Sequence, residues 1–165
     1  MNEENQNQKS ECCPKFNPEL WNEKIFEWKN KLFIRKDLPQ ILHMPLPGMI
    51  ETMITKAWKM IEDAGANPEK KDFLWLCYDP SPWKCENYIH VTKEVPGVEN
   101  VTLSGTFITK VFDGPYSDAP RWIEKMDKFL AIQNKKAQKY YFYYTTCPKC
   151  AKKWGHNYVV VFAKI

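Results

Sequence analysis

The chain has 165 residues, enough for one domain with a sizeable core. Its 24 basic and 20 acidic residues leave a formal charge of +4, too mild to argue for nucleic acid as a partner. No stretch is long and apolar enough to span a bilayer, and Met1 to Ser10 lacks the apolar centre of a signal peptide, so the sequence reads as cytoplasmic with no membrane partner.

Residues 1–11 form a polar tail rich in Asn, Gln and Glu. Residues 12–40 read as an N-terminal arm. It enters through Cys12-Cys13-Pro14 and carries Trp21, Ile25, Phe26 and Trp28 among charges, as a short helix or an extended segment. The domain proper is expected over 41–165. Ile41 to Leu46 is a predicted strand closed by Pro47-Gly48. From Met49 the apolar residues Ile50, Met53, Ile54, Ala57, Met60, Ile61 and Ala64 fall on one helical face, with Gly65 at the C-cap. Phe73 to Tyr78 reads as a strand, Asp79-Pro80-Ser81-Pro82 as a turn, and Glu86 to Glu94 as a second strand.

The same order follows again. Val101 to Phe112 is a predicted strand, and Gly114-Pro115 a turn. Ser117 can cap a helix that runs to about Gln133 and presents Trp122, Met126, Phe129 and Leu130 on one face. Lys139 to Thr146 is a strand dense in Tyr, Cys147 to Gly155 a loop, and Asn157 to Ile165 a closing strand. Glu86 to Val91 lines up with His156 to Val161 at an offset of 70 residues. The expectation is an internal duplication, with repeat one over 41–97 and repeat two over 98–165. The predicted fold class is α+β: two strand–helix–strand–strand repeats related by a pseudo-twofold, forming an antiparallel sheet. Helices cover one face, and a ligand cleft lies on the other.

Ser104-Gly105-Thr106-Phe107, then Val111-Phe112-Asp113-Gly114-Pro115-Tyr116 and a helix with Trp122, resemble the Gly-Pro-Tyr segment of gyrase-inhibitor-like (GyrI-like) effector-binding domains. Cys77-Tyr78-Asp79-Pro80 leading into Asn87-Tyr88-Ile89-His90-Val91 is similar to their mid-chain hairpin. The resemblance covers roughly residues 41–165. It implies a stand-alone member with an aromatic-lined cleft for a small molecule. Some relatives hydrolyse strained electrophilic rings. Many relatives place a ligand-facing glutamate in the penultimate strand, whereas Lys139 to Thr146 carries no carboxylate.

Aromatic residues make up 15% of the chain; a core can absorb many of them, and a surplus of Trp and Tyr often lines a pocket or an interface. Alternation sets Tyr88, His90 and Thr92 on one strand face and Ile89 and Val91 on the helix-packed face. Tyr88 and His90 are therefore candidate ligand residues, joined by Trp75, Trp83, Tyr116, Tyr141 and Tyr143, and the partner is a small apolar or aromatic molecule. Cys147-Pro148-Lys149-Cys150, with Cys12 and Cys13, is a candidate metal set for zinc, with His156 as a further ligand; a redox dithiol and packed thiols are the other readings. No other cofactor is indicated. Asp79, Glu86, Glu94 and Asp113 lie near strand ends without a recognised catalytic spacing.

Overall fold

Residues 13–165 are described by the structure, a computed structural model. The polar tail 1–11 and Cys12 lie outside the described residues. The first half of the chain supplies β1 (Ile25–Ile41), the short β2 (Met44–Pro45), α1 (Met49–Asp63), β3 (Trp75–Ser81) and β4 (Lys84–His90). The second half supplies β5 (Glu99–Asp113), α2 (Ala119–Ile132), β6 (Lys139–Tyr144), α3 (Pro148–Trp154) and β7 (Tyr158–Lys164). With the short β2 and α3 as additions, the order strand, helix, strand, strand occurs twice, as the sequence predicts.

The sheet runs β2-β1-β4-β3-β6-β7-β5, every ladder is antiparallel, and β5 pairs back onto β1. Six strands therefore close into a ring, with β2 appended to the end of β1. Phe33 pairs with His90 in the first half and Phe107 with Lys164 in the second, so the β1–β4 and β5–β7 ladders superpose at an offset of 74 residues. The sequence match between Glu86–Val91 and His156–Val161 is four residues out of this register. The ladders, and not the matching letters, fix which positions are equivalent.

The core has three parts because each strand has two faces. Ile34, Leu38, Ile89 and Val91 point outward under Met53, Ala57 and Ile61 of α1. Ile108, Phe112, Val159 and Val161 lie likewise under Trp122, Met126 and Leu130 of α2. Both helices bury a stripe at four-residue spacing. The opposite face of the sheet turns inward, and Phe33, Leu76, Tyr88, Phe107, Tyr141, Tyr143, Val160 and Phe162 meet inside the ring. No helix among the described residues is long and apolar enough to cross a membrane.

Several boundaries differ from the expectation. The first strand starts at Ile25, inside the stretch read as an arm, and of the expected strand at Ile41 to Leu46 only Ile41, which ends β1, and Met44–Pro45 pair. Asp79-Pro80-Ser81 continues β3 past a bulge, so the hairpin turns at Pro82-Trp83 instead. Ser117 lies within a 3-10 turn, Tyr116–Asp118, and Asp118 precedes α2. Cys147 to Gly155 is not a loop but contains α3.

The Gly65 cap is as predicted. Its φ is +59°, and the Gly65 and Ala66 amides donate to the Glu62 and Ile61 carbonyls, closing the helix end. At Gly114 (φ +151°) a β-carbon would come within 3.2 Å of Asp118 Oδ2 and 3.6 Å of Trp122, so glycine lets the chain pass tightly into α2.

Phe162 is fully buried, and its ring lies 5.6 to 6.1 Å from those of Trp21, Phe26 and Trp28. Urea unfolding of Phe162→Ala is expected to show a loss of about 3–5 kcal/mol. Ile132→Ala, at a side chain 84% exposed, is expected to change stability by less than about 0.5 kcal/mol.

Candidate functional site

The seven aromatic and histidine positions expected to line a cleft divide. Tyr88, Tyr141 and Tyr143 face the interior of the ring. His90 stands against Phe33, ring centroids 5.7 Å apart, with Nδ1 3.0 Å from the Asp72 carbonyl. Trp75 faces outward into the α1 cluster, where its Nε1 donates to Asn87 Oδ1 at 2.9 Å. Trp83 is on the β3–β4 turn and exposed, and Tyr116 stacks outside against Tyr144, centroids 4.2 Å apart. These three do not join the inner group, because strand parity or a turn carries them to the other side.

The inner face of the first half ends in a polar cluster built on Glu86. Alternation along β4 sends Glu86 inward with Tyr88. Only 8% of Glu86 is exposed. Its Oε1 accepts from Arg35 Nη2 at 2.9 Å, and its Oε2 from the Tyr88 hydroxyl at 2.5 Å. Arg35 also forks onto Asp37, at 2.8 and 3.0 Å. Lys84 reaches Asp37 at 2.8 Å and Glu86 at 3.5 Å. Tyr78 pairs with Glu86 across β3 and β4. The Tyr141 ring lies 5.8 Å from that of Tyr78 and 5.7 Å from that of Tyr88. The Lys139 ammonium sits 3.7 Å from the Tyr78 ring centre and 5.1 Å from that of Tyr141. Glu86 shares the parity of Lys84, Tyr88 and His90, so its inward direction was readable in the sequence; Arg35 and Lys139 come from β1 and β6 and were not.

These neighbours set the charge states. The Arg35 guanidinium bonded to Asp37 holds that carboxyl below its ordinary value. Burial, and then the bond to Glu86, push Tyr88 well above the phenol range. Burial and Glu86 push Tyr141 up to about 12. Both phenols are therefore neutral donors at physiological pH beside a carboxylate. Burial pulls Lys139 down. His90 is likewise lowered, by burial and by Lys31.

The equivalent end of the second half is apolar and covered. Thr109, Val111, Val160 and Phe162 stand where the first half has Arg35, Asp37, Glu86 and Tyr88. The segment before β1 lies over this end. Trp21 packs on Tyr143 at 5.5 Å and on Phe162 at 6.1 Å, and Phe16 packs on Tyr158 at 5.6 Å. The segment is pinned by the Thr109 amide to the Lys24 carbonyl, the Thr109 hydroxyl to the Trp21 carbonyl, and the Val111 amide to Asn22 Oδ1. Burial, then Cys13, push Tyr143 up to about 12.

Two surface grooves, about 490 and 520 Å³, flank α1; one runs along Leu38 and Met49, the other along Ile54 and Trp58. Neither touches the residues expected to hold a ligand. At the far end of the sheet, the Cys13, Cys147 and Cys150 sulfurs lie within 4.8 Å of one another. His156 is not part of that group: its Nδ1 is 2.7 Å from Asp113 Oδ2, and its ring stacks on Tyr158.

A six-stranded antiparallel ring with two outer helices and a buried carboxylate among tyrosines is the class this geometry defines. A family model described as bacterial hydrolase matches residues 3–165, and the chain belongs to that family. No curated protein matches the sequence. Among solved structures it is similar to the EcmrR C-terminal domain, at 13% identity over 88% of this chain and 97% of that one, with a TM-score of 0.62. An uncharacterized conserved protein from Listeria innocua matches at 10% identity over 86% and 91%, TM-score 0.61. A hydrolase from the same organism matches at 11% identity over 87% and 91%, TM-score 0.59. At these identities the likeness is one of fold.

Glu86→Gln removes the negative charge that favours the neutral phenols. Tyr88 and Tyr141 are then expected to ionise at lower pH than in the parent, while staying above the ordinary 10.0 because both remain buried. Raised phenols stabilise the fold fully below that value and lose this contribution as pH climbs past it, so the variant should lose less stability at high pH. Ultraviolet difference titration reads the shift, and superimposable curves for the two proteins would contradict the assigned contacts.

Proposed function

We propose that the chain takes a small, neutral, apolar or aromatic molecule onto the tyrosine wall beside Glu86 and hydrolyses it there. The observation that carries this reading is the Glu86 carboxylate, about nine-tenths buried, facing Tyr88, Tyr78 and Tyr141 inside the ring. Membership of a bacterial hydrolase family supports it. So does the resemblance of the Gly114-Pro115-Tyr116 segment to GyrI-like domains, which bind small molecules and in some cases open strained electrophilic rings. The carboxylate that such relatives carry on the penultimate strand is absent from β6, and Glu86 of β4 offers one from the other half.

The chemistry follows from the charge states. Glu86, bonded by Arg35 and approached by Lys84, has acceptor capacity left on Oε2 beyond the bond from Tyr88. It takes the proton of a water that adds to the electrophilic carbon. The neutral phenol of Tyr141 gives its proton to the atom that leaves with the bonding electrons, and the proton taken up by Glu86 then restores that phenol, so that one water is added and both groups are regenerated. The rings of Tyr78 and Tyr141 supply a flat contact surface. Lys139 occupies the cation position over those rings, which disfavours cationic ligands and selects neutral ones.

A second reading, binding without turnover, draws on the fact that both Glu86 oxygens already hold partners. An aryl cyclopropane electrophile incubated with the protein separates the two. Hydrolysis adds the mass of one water to the compound. In Glu86→Gln the rate is expected to fall by at least about 10²-fold, with binding, read by quenching of tyrosine and tryptophan emission, largely retained. Saturable quenching with no mass change in the parent protein would discard hydrolysis and leave binding. Lys139→Met is expected to admit a quaternary ammonium fluorophore that the parent excludes, with an affinity gain of about tenfold, in line with a cation–π contribution of 1–2 kcal/mol. Equal affinity for both proteins would remove Lys139 from the selectivity argument.

A further inference from the structure

We infer that Cys13, Cys147 and Cys150 hold one zinc ion, and that this ion fastens the segment before β1 to α3. The site is separate from the Glu86 end of the ring. Cys147 immediately precedes α3, Pro148 is its first residue, and Cys150 follows one turn in, with 5% of its surface exposed. A three-residue step brings two side chains to the same side of a helical turn. The third sulfur comes from the opposite end of the chain, 134 residues away, where the Cys147 amide donates to Cys13 Sγ at 3.4 Å.

All three sulfurs lie within 4.8 Å of one another. Around a tetrahedral zinc ion, with zinc–sulfur bonds of about 2.3 Å, thiolate sulfurs stand about 3.8 Å apart. The cluster reaches that spacing by closing about 1 Å at most. A disulfide would join two of these sulfurs and give the third nothing to do, whereas one ion uses all three. Three thiols lose their protons as three sulfur–zinc bonds form, and no oxidant is needed. The fourth position falls to water. His156, held by Asp113, does not supply it.

The placement gives the ion a role. Between Cys13 and β1 lie Phe16 and Trp21, whose rings cover Tyr143, Tyr158 and Phe162 at the apolar end of the ring. A bond between Cys13 and α3 anchors the free end of this cover. Removing the ion should loosen residues 13–22 while the ladders of β3 to β7 hold.

The test uses the full chain, purified without chelator, loaded with zinc and desalted. Elemental analysis is expected to give one zinc per chain. Cobalt put in its place should show an intense sulfur-to-cobalt charge-transfer band and tetrahedral absorption in the red. Cys147→Ser and Cys150→Ser should each abolish both, while the Cys77→Ser, Cys85→Ser double variant keeps them. Because a ligand variant can misfold, the parent protein supplies a second readout. Three thiols should resist a thiol reagent until a chelator is added, and Trp21 emission should then shift to the red. Zinc well below one per chain, cobalt bound without the charge-transfer band, or a chain lighter by two hydrogens and free of metal would each overturn the assignment. None of these results bears on turnover at Glu86.

Discussion

The structure depends on one contact between distant parts of the chain: the ladder between β1 and β5. It runs from Ile25 against Ile108 to Arg35 against Glu99 and breaks once, between Trp28 and Lys31. At the break Asn30 takes a left-handed conformation (φ +50°), which its side chain tolerates better than most, and bonds to Ser104 across the gap. The same two strands carry β4 and β7 on their other edges. Without this ladder the strands would form one open sheet with β1 and β5 left as edges, a condition proteins avoid because unpaired backbone recruits other strands. With it, the inner face is sealed into a narrow ring that side chains must fill, and that is where the aromatic surplus goes.

A duplicated frame does not force duplicated contents. The ladders repeat at an offset of 74, yet Arg35, Glu86 and Tyr88 in one half answer to Thr109, Val160 and Phe162 in the other. Charge gathers at one end of the ring and hydrocarbon at the other. Burying Glu86 is tolerable because Arg35 and Tyr88 satisfy it; an equivalent carboxylate at Val160 would find no cation on Thr109 or Val111. The apolar end instead recruits the residues before β1 as its lid, held by backbone bonds to Thr109 and Val111.

What the sequence revealed follows from how local each signal is. The helical faces of α1 and α2, the Gly65 cap and the inward turn of Tyr88 rest on spacings within a few residues, and all were legible. The first strand was not. Its alternation is broken at Asn30, and its outward positions carry Lys29 and Lys36 as well as apolar residues. Its pairing partners also lie about fifty to eighty residues away. Trp75, Trp83 and Tyr116 were grouped with the inner tyrosines on residue type alone, and parity or turn position separates them. The Glu86 cluster was half legible, in direction but not in surroundings. Cys13, Cys147 and Cys150 stood out by residue type alone, and the helix that presents the last two was not legible, because Cys147 to Gly155 reads as a loop.

The unequal ends of the ring also give the interior a direction. Under the proposed function, a molecule held at the tyrosines has Arg35, Asp37 and Glu86 on one side and hydrocarbon on the other, so an amphiphile lies one way round. The pose related to it by the backbone pseudo-twofold meets Thr109, Val111 and Val160 instead, so the side chains remove the equivalence that the backbone offers.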